Sequence, residues 1–119
     1  MWHLYPLRYD PQAFQGLSRD KFIRALGAEG IPASGGYTEQ YFDGIFDETI
    51  NSRGYKRLWT GKRLAAYRES FRELKGNKQV CATTVGLSQN LLLADRSSVD
   101  HIFEAIAKIQ ANAGALAKA

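Results

Sequence analysis

The sequence predicts an α+β fold in which helices pack on one face of a small antiparallel sheet. Three features support this prediction. The N-terminal segment is rich in strand-forming aromatic residues, the second half carries two amphipathic helical patterns, and strands and helices do not alternate as they do in parallel α/β folds. The chain has 119 residues, of which 45% are apolar, so we expect residues 1–119 to form a single domain with one core.

The first predicted element is a strand from Trp2 to Tyr9. Pro6 cannot donate a ladder hydrogen bond, so the strand is predicted to lie at a sheet edge. A helix is then predicted from Ser18, which can cap it, to Gly30, which can end it. Its apolar face consists of Phe22, Ile23 and Leu26.

The middle of the chain gives mixed signals. Residues 41–50 have no convincing period and are predicted to be irregular with a short helical turn. Residues 61–75 predict an amphipathic helix that ends at Gly76 and Asn77. The apolar positions of that helix are Leu64, Tyr67, Phe71 and Leu74.

The C-terminal third begins with residues 78–85, which are compatible with either helix or strand. Residues 85–93, "VGLSQNLLL", predict a short buried strand or a close-packed connection. Ser97 with Asp100 forms a capping-box pattern at the start of a last helix, and beyond Gln110 we expect the chain to fray. The apolar stripe of this helix consists of Val99, Ile102, Phe103, Ile106 and Ile109.

The overall charge of +4 is mild, and we do not expect nucleic acid to be the partner. The one local excess lies in residues 53–63, where five basic residues occur with Tyr55 and Trp59 and without an acid. We favour a solvated loop that leads into a helix. The alternative is a small basic module that holds phosphates and stacks bases.

The remaining composition predicts a cytoplasmic protein. A single cysteine, Cys81, excludes an internal disulfide framework and fits a reducing compartment. No apolar run approaches the roughly 20 residues that cross a bilayer, so we expect no membrane association.

Residues that could carry independent catalysis are scarce. Neither His3 nor His101 has ligands at zinc spacing, and we expect no metal site. The acidic cluster of Asp43, Asp47 and Glu48 has no partner base, and phosphate-binding glycine motifs are absent. The best candidate is the glycine-rich stretch "GIPASGGYTEQY", residues 30–41, which is either a ligand site or a helix-to-loop connection.

The order of several motifs resembles the C-terminal region of the DegT/StrS family of pyridoxal-phosphate-dependent aminotransferases. The motifs are "WHLYPLRYD", "SRDKFIRALGAEGI", "PASGGYTEQY" and "VGLSQNLLLADRSSVDHIFEAIAKI", and they extend from Trp2 to Ile109. The resemblance implies the small domain of a fold type I enzyme, present as a fragment. The large domain, which binds pyridoxal phosphate through a Schiff-base lysine, would be its partner within a homo-oligomer.

The resemblance assigns no catalytic, cofactor-binding or metal residue to this chain, because none of its lysines has the family's context. It implies a substrate-positioning role over a keto sugar or a cyclitol-like substrate. In the family the turn after "GI" carries "HY" and a later histidine, positions at which this chain has Gly36, Tyr37 and Tyr41. This difference favours a cyclitol or aminobenzoate type over a sugar nucleotide.

The candidate substrate-binding residues are Ser34, Gly36, Tyr37 and Tyr41. Gln89 and Asn90 follow the family segment, but we expect them to tie down a loop. A regulatory or scaffolding domain that kept the fold and lost the chemistry is a third interpretation.

Overall fold

The computed structural model describes residues 4–118, so Trp2 and His3 of the predicted first strand lie outside the described residues. The chain divides into two compact units, and each is described by itself. The first unit comprises residues 1–36 and 82–119, and the second comprises residues 37–81. The assignment of the whole chain to one aminotransferase small domain stays a prediction.

The described chain contains short strands and seven α-helices. The strands are β1 (Leu4–Arg8), β2 (Ala33–Ser34) and β3 (Thr84–Ser88). The helices are α1 (Arg19–Ala28), α2 (Gly44–Asn51), α3 (Arg53–Leu58), α4 (Gly61–Ser70), α5 (Lys75–Thr83), α6 (Arg96–Ala111) and α7 (Ala113–Lys118). None of the helices in this part of the chain has the length and apolar character that crossing a bilayer requires.

The first unit contains a three-stranded antiparallel sheet in the order β1-β3-β2, which confirms an α+β fold with a small antiparallel sheet. Pro6 lies on an edge strand, as predicted. The amide of Tyr9 donates to the carbonyl of its cross-strand neighbour Thr83 at 2.7 Å. Hydrogen-bonded and non-hydrogen-bonded pairs alternate along an antiparallel ladder, so the Pro6–Gly86 pair is a non-hydrogen-bonded one. The missing donor of Pro6 therefore faces away from β3.

One face of the sheet packs against the core. Val85 and Leu87 point to this face together with their cross-strand neighbours Leu7 and Ala33. The helices α1 and α6 contact each other and complete the core. The buried members of the core are Tyr9, Leu17, Phe22, Leu26, Ile31, Val85, Leu87, Ile102, Ala105, Ile109 and Ala113.

The ends of α1 follow the sequence prediction. Ser18 is the N-cap, and its hydroxyl accepts a hydrogen bond from the amide of Lys21. Gly30 follows the helix with a φ of 83°, the left-handed conformation that glycine adopts without steric cost. The buried residues of the helix are Phe22 and Leu26, on the predicted apolar face.

The N-cap of α6 is Asp95, so the prediction of Ser97 as its cap was wrong. One carboxylate oxygen of Asp95 accepts from the amide of Ser98 at 2.8 Å and from the hydroxyl of Ser97 at 3.0 Å. The pKa of Asp95 is lowered by hydrogen bonds to its ionised form, the largest effect coming from the Ser98 side chain, followed by the Ser98 amide and the Ser97 hydroxyl. An ionised carboxylate is the stronger acceptor, which explains why it displaces the serine.

Two further expectations about α6 and the tail were wrong. Phe103 is 66% exposed and lies outside the core, whereas Ala105 is buried. The chain does not fray after Gln110, because α6 continues to Ala111 and α7 follows it. Ala113 is fully buried, and Leu116 packs against the same core.

The second unit is more helical than the sequence predicts. Residues 41–50 include most of α2, and residues 53–58, expected as a loop, form α3. The predicted helix over residues 61–75 ends at Ser70, where a 3-10 turn at Phe71–Glu73 interrupts it. Helix α5 then starts at Lys75 and includes Gly76 and Asn77, which lie in its first turn, where the amides need no helical partner.

A small aromatic core holds the second unit together. It buries Ile50, Leu64 and Phe71, with Tyr41 and Phe46 packed against them. Arg68 ties this core to the neighbouring segments, because its guanidinium donates to the carbonyl of Tyr41 at 2.7 Å and forms an ion pair with Asp47.

Candidate substrate-positioning site

Strand β2 holds Ser34 at the edge of the sheet. Ser34 pairs with Gly86 of β3, and its side chain lies on the sheet face opposite the core. A Cβ at Gly86 would lie 3.2 Å from the Ser34 hydroxyl oxygen, so glycine at this position leaves room for the hydroxyl. Ser34 is exposed and can present a donor and an acceptor to a polar ligand.

Gly36 lies beside the same strand. Its φ of 71° is in the left-handed region, and a Cβ there would lie 3.0 Å from Cγ2 of Thr84. Both constraints require glycine, so the chain can turn close to the start of β3. Ser34 and Gly36 thus both lie along β3, and their role in substrate binding stays a prediction.

Arg19 is a candidate that the sequence did not reveal. A Cβ at Gly35 would lie 3.3 Å from the guanidinium carbon, and Nη1 donates to the Gly35 carbonyl at 3.4 Å. The guanidinium is thus fixed against the glycine-rich turn from a position 16 residues away in the chain. Such contacts depend on the tertiary fold, and a single sequence carries no local signal for them.

Tyr37 and Tyr41 belong to the second unit. Tyr37 is 68% exposed, so its ring and hydroxyl are free for contact with a ligand. Tyr41 is engaged within its unit: its ring packs against Phe71, and its hydroxyl donates to a carboxylate oxygen of Glu39 at 2.5 Å. This hydrogen bond raises the pKa of Tyr41, because it favours the protonated phenol.

Asn90 is hydrogen-bonded to the Ser88 hydroxyl, an arrangement that ties the 3-10 turn at Gln89–Leu93 to the end of β3. Gln89 borders an apolar cavity of about 540 Å³. The other residues that line this cavity are Leu4, Tyr5, Pro6, Leu92 and Leu93.

The side chains of the candidate site can bind a ligand through hydrogen bonds. Residues 4–118 contain no group of three His, Cys, Asp or Glu side chains that could hold a metal ion. Lys21 donates to the carbonyl of Ala117 at 2.9 Å, and Lys108 is paired with Glu29 at 2.9 Å, so both serve as structural contacts. The surface around Ser34 therefore offers hydroxyl and backbone groups that can orient a polar ligand.

The chain is similar to part of an aminotransferase. It is 30% identical over 111 residues to a protein of Streptoalloteichus tenebrarius whose provisional name is L-glutamine:3-amino-2,3-dideoxy-scyllo-inosose aminotransferase. The alignment covers 92% of this chain and 26% of that protein, so the chain spans about a quarter of the relative's length. No protein-family model matches the chain, and no solved structure matches it.

Proposed function

We propose that the chain is the C-terminal substrate-positioning region of a pyridoxal-phosphate-dependent aminotransferase of the DegT/StrS type. The observation that supports the proposal is the alignment with the inosose aminotransferase, which extends over 92% of this chain. The compact α+β unit with its three-stranded sheet is compatible with an aminotransferase small domain. The chain is not catalytic alone in this proposal, and its partner is the large domain of the same enzyme within a homo-oligomer.

The proposed role of the chain is to orient the substrate and to exclude water from it. Ser34 offers a hydroxyl beside Gly86, and Gly36 lets the backbone turn close to Thr84 without a Cβ in the way. Tyr37 adds an exposed phenol. A polyhydroxylated ring presents donors and acceptors that such groups can match, and correct orientation lowers the barrier of a reaction elsewhere in the enzyme.

Pyridoxal phosphate supplies the electron sink for amino-group transfer when it is bound to such an enzyme. The residues of this chain do not fit the cofactor's own site. Lys21 and Lys108 are committed to structural contacts, and the other lysines lie exposed on helices. We therefore assign no cofactor-binding residue to this chain.

The relative's name specifies an aminated inosose, which is a cyclitol ketone. We propose a keto sugar or cyclitol-like substrate for the enzyme that contains this chain, with the cyclitol favoured because Gly36 and Tyr41 replace the histidines of sugar-nucleotide members. Tyr41 would act through its ring and its neighbours, since its hydroxyl is bonded to Glu39.

A chimera tests the proposal. The segment of the Streptoalloteichus protein that aligns with this chain is replaced by it, and glutamine-dependent amination of the keto-cyclitol substrate is measured with pyridoxal phosphate. We expect a folded chimera with measurable activity, and a Ser34→Ala variant with a KM raised about tenfold, consistent with the loss of a substrate hydrogen bond. An Arg24→Ala variant, altered on the exposed side of α1, is the matched control and should behave like the parent chimera.

Two results would contradict the proposal. One is a folded chimera that binds pyridoxal phosphate but neither binds nor aminates the cyclitol ketone. The other is a parental gene whose DNA upstream of this chain encodes, in frame, a domain unrelated to cofactor-binding enzymes.

A further inference from the structure

The second unit carries a strongly basic segment that the proposed function does not use. No acidic residue occurs between Glu48 and Glu69, and this interval spans helices α3 and α4. Six basic residues lie within it: Arg53, Lys56, Arg57, Lys62, Arg63 and Arg68. Within residues 4–118, Arg68 is the member of this set that forms an ion pair with an acid, so the remaining charges stay available to an external anion.

Three aromatic rings border a cavity of about 250 Å³ within this basic segment. Tyr55, Trp59 and Tyr67 are 37%, 42% and 47% exposed, so each ring offers part of its face to solvent. Arg63 and Leu64 complete the lining. Partly exposed rings that converge on one cavity are typical of a surface on which a planar ligand stacks.

The guanidinium of Arg63 lies over the indole of Trp59, with its central carbon 4.1 Å from the ring centroid. This cation–π contact uses the face of the guanidinium, so its in-plane N–H donors remain for other partners. A phosphate bound there meets a donor that is already positioned, and a base can stack on the aromatic rings beside it.

Trp59 also borders a second cavity of about 460 Å³ within the same unit. Lys56 and Arg68 line this second cavity, together with Asp47, whose charge is paired with Arg68. The Trp59 indole thus borders two cavities, each of which has a basic side chain at its wall. This arrangement suits a chain of linked anionic units better than a single small molecule.

We propose that this surface, formed by Tyr55, Lys56, Trp59, Arg63 and Tyr67, binds single-stranded nucleic acid. Bases stack on the Trp59 and tyrosine rings, and phosphates contact Arg63 and Lys56. A duplex keeps its bases stacked inside the helix and cannot offer them to the rings, so single strands are preferred. The inference is independent of the proposed aminotransferase role, and it replaces the solvated-loop interpretation of residues 53–63.

Fluorescence anisotropy with a labelled oligothymidylate of about twelve nucleotides tests the proposal on the complete chain. We expect saturable binding whose affinity falls between about 50 and 200 mM salt, with a log–log slope of about −1.4, as for the two phosphates that contact Arg63 and Lys56. Thymidine monophosphate at the same nucleotide concentration should not compete.

Two substitutions separate stacking from charge. Trp59→Ala should weaken binding about tenfold and leave the salt slope unchanged, because it removes stacking. Arg63→Ala should also weaken binding, and its slope should be shallower by about 0.7, because one phosphate contact is lost.

The matched controls lie in the first unit: Arg24→Ala removes one exposed charge, and Phe103→Ala removes one exposed ring. Both should change the affinity by less than about twofold.

Circular dichroism establishes whether each variant is folded. If Trp59→Ala does not fold, the result for Arg63→Ala decides the outcome. The proposal is overturned if the wild-type chain fails to bind the oligonucleotide at low salt. Equal affinity for a duplex, or unchanged affinity in both variants, would also overturn it, because either result indicates nonspecific attraction. Effective competition by the mononucleotide would instead identify a small-ligand site.

Discussion

Gly36 is the residue at which backbone conformation and packing both exclude a side chain. We expect Gly36→Ala to lower the free energy of unfolding by about 1 to 2 kcal/mol, because a Cβ is strained at a φ of 71° and would press on Thr84. Urea denaturation followed by circular dichroism measures the change. Gly27→Ala is the matched control. Gly27 lies inside α1 with open space around it, so alanine should stabilise the chain by about 0.5 to 1 kcal/mol. Equal effects at both positions would contradict this account.

Tyr9 joins the core to the loop before α1. Its hydroxyl donates to the carbonyl of Leu17 at 2.7 Å in a buried setting. Tyr9→Phe keeps the ring contacts with Phe14 and Phe22 but leaves the carbonyl without this donor. We expect a loss of about 1 to 2 kcal/mol in urea denaturation at neutral pH. A loss below about 0.3 kcal/mol would show that water replaces the phenol.

The same residue predicts a pH dependence. Burial, together with the nearby Asp10 carboxylate, raises the pKa of Tyr9 above its ordinary value of 10.0. The folded chain therefore holds the phenolic proton more tightly than the unfolded chain. The stabilisation is fully present below the unfolded pKa and is lost as the pH rises through the folded pKa. The stability difference between wild type and Tyr9→Phe should be constant up to about pH 9 and should shrink above it.

Helix α6 permits a direct comparison between two possible caps. Asp95→Ala removes the acceptor of the Ser98 amide, whereas Ser97→Ala removes only a hydroxyl that donates to Asp95. We expect Asp95→Ala to lower the urea midpoint clearly and Ser97→Ala to lower it slightly. The reverse order would restore Ser97 as the cap.

The contribution of Asp95 should depend on pH in the opposite sense to that of Tyr9. Its folded pKa is lowered below the ordinary value of 3.8, so its stabilisation is present above the unfolded pKa and is lost as the pH falls through the folded one. The difference in urea midpoint between wild type and Asp95→Ala should therefore disappear in acid. Persistence of the full difference well below the folded pKa would contradict a cap that depends on the ionised carboxylate.

Helix α7 is expected to stabilise the first unit. Removal of residues 113–119 uncovers the core around Ala113 and Leu116 and takes away the carbonyl acceptor of Lys21 at Ala117. We expect a loss of about 2 to 3 kcal/mol in the free energy of unfolding, from the apolar area exposed. Hydrogen exchange offers a second measurement, since the amides of Ala115 and Leu116 should be protected in the intact chain. Unprotected amides and an unchanged midpoint would support the frayed tail that the sequence suggested.

The elements that could be predicted from sequence have both a period and a signal at their ends. Helix α1 has a serine cap and a terminal glycine, and α6 has a long apolar stripe. Helix α3 has a serine cap at Ser52 but is only six residues long, and α5 lacks these signals. Residues 53–63 suggested a loop because basic residues dominate them. Gly76 suggested the end of a helix, but α4 ends before the 3-10 turn at Phe71–Glu73, and Gly76 lies at the start of α5. Local composition was informative only where it agreed with tertiary packing.

At the scale of the whole molecule, the sequence indicates only some of the residues of the candidate site. Glycines and hydroxyls mark residues 30–41, but the approach of Arg19 to Gly35 depends on the fold. The sequence also carries a signal for the aromatic cavity in the second unit. Tyr55 and Trp59 are four residues apart, which is a helical spacing, within a segment that composition had suggested to be a loop. Arg63 and Tyr67 have the same spacing on the predicted helix that follows.

The division into two units predicts that the first unit folds without residues 37–81. Gly36 already lies against Thr84, so a Gly-Ser linker of about four residues should close the gap. We expect the shortened chain to unfold cooperatively, because its buried core lies within the first unit. Residues 37–81 alone, with a core of Ile50, Leu64 and Phe71, should remain largely unfolded. A disordered shortened chain in circular dichroism would show that the first unit depends on the segment removed.

Pro6 has a consequence for how copies of the chain behave towards each other. Residues 4, 6 and 8 of β1 direct their backbone nitrogens away from β3, and Pro6 in the middle has no N–H to donate. The opposite edge, β2, is only two residues long. Neither edge of the sheet offers an uninterrupted row of backbone groups to a strand of another copy, so we expect little edge-to-edge aggregation at high protein concentration.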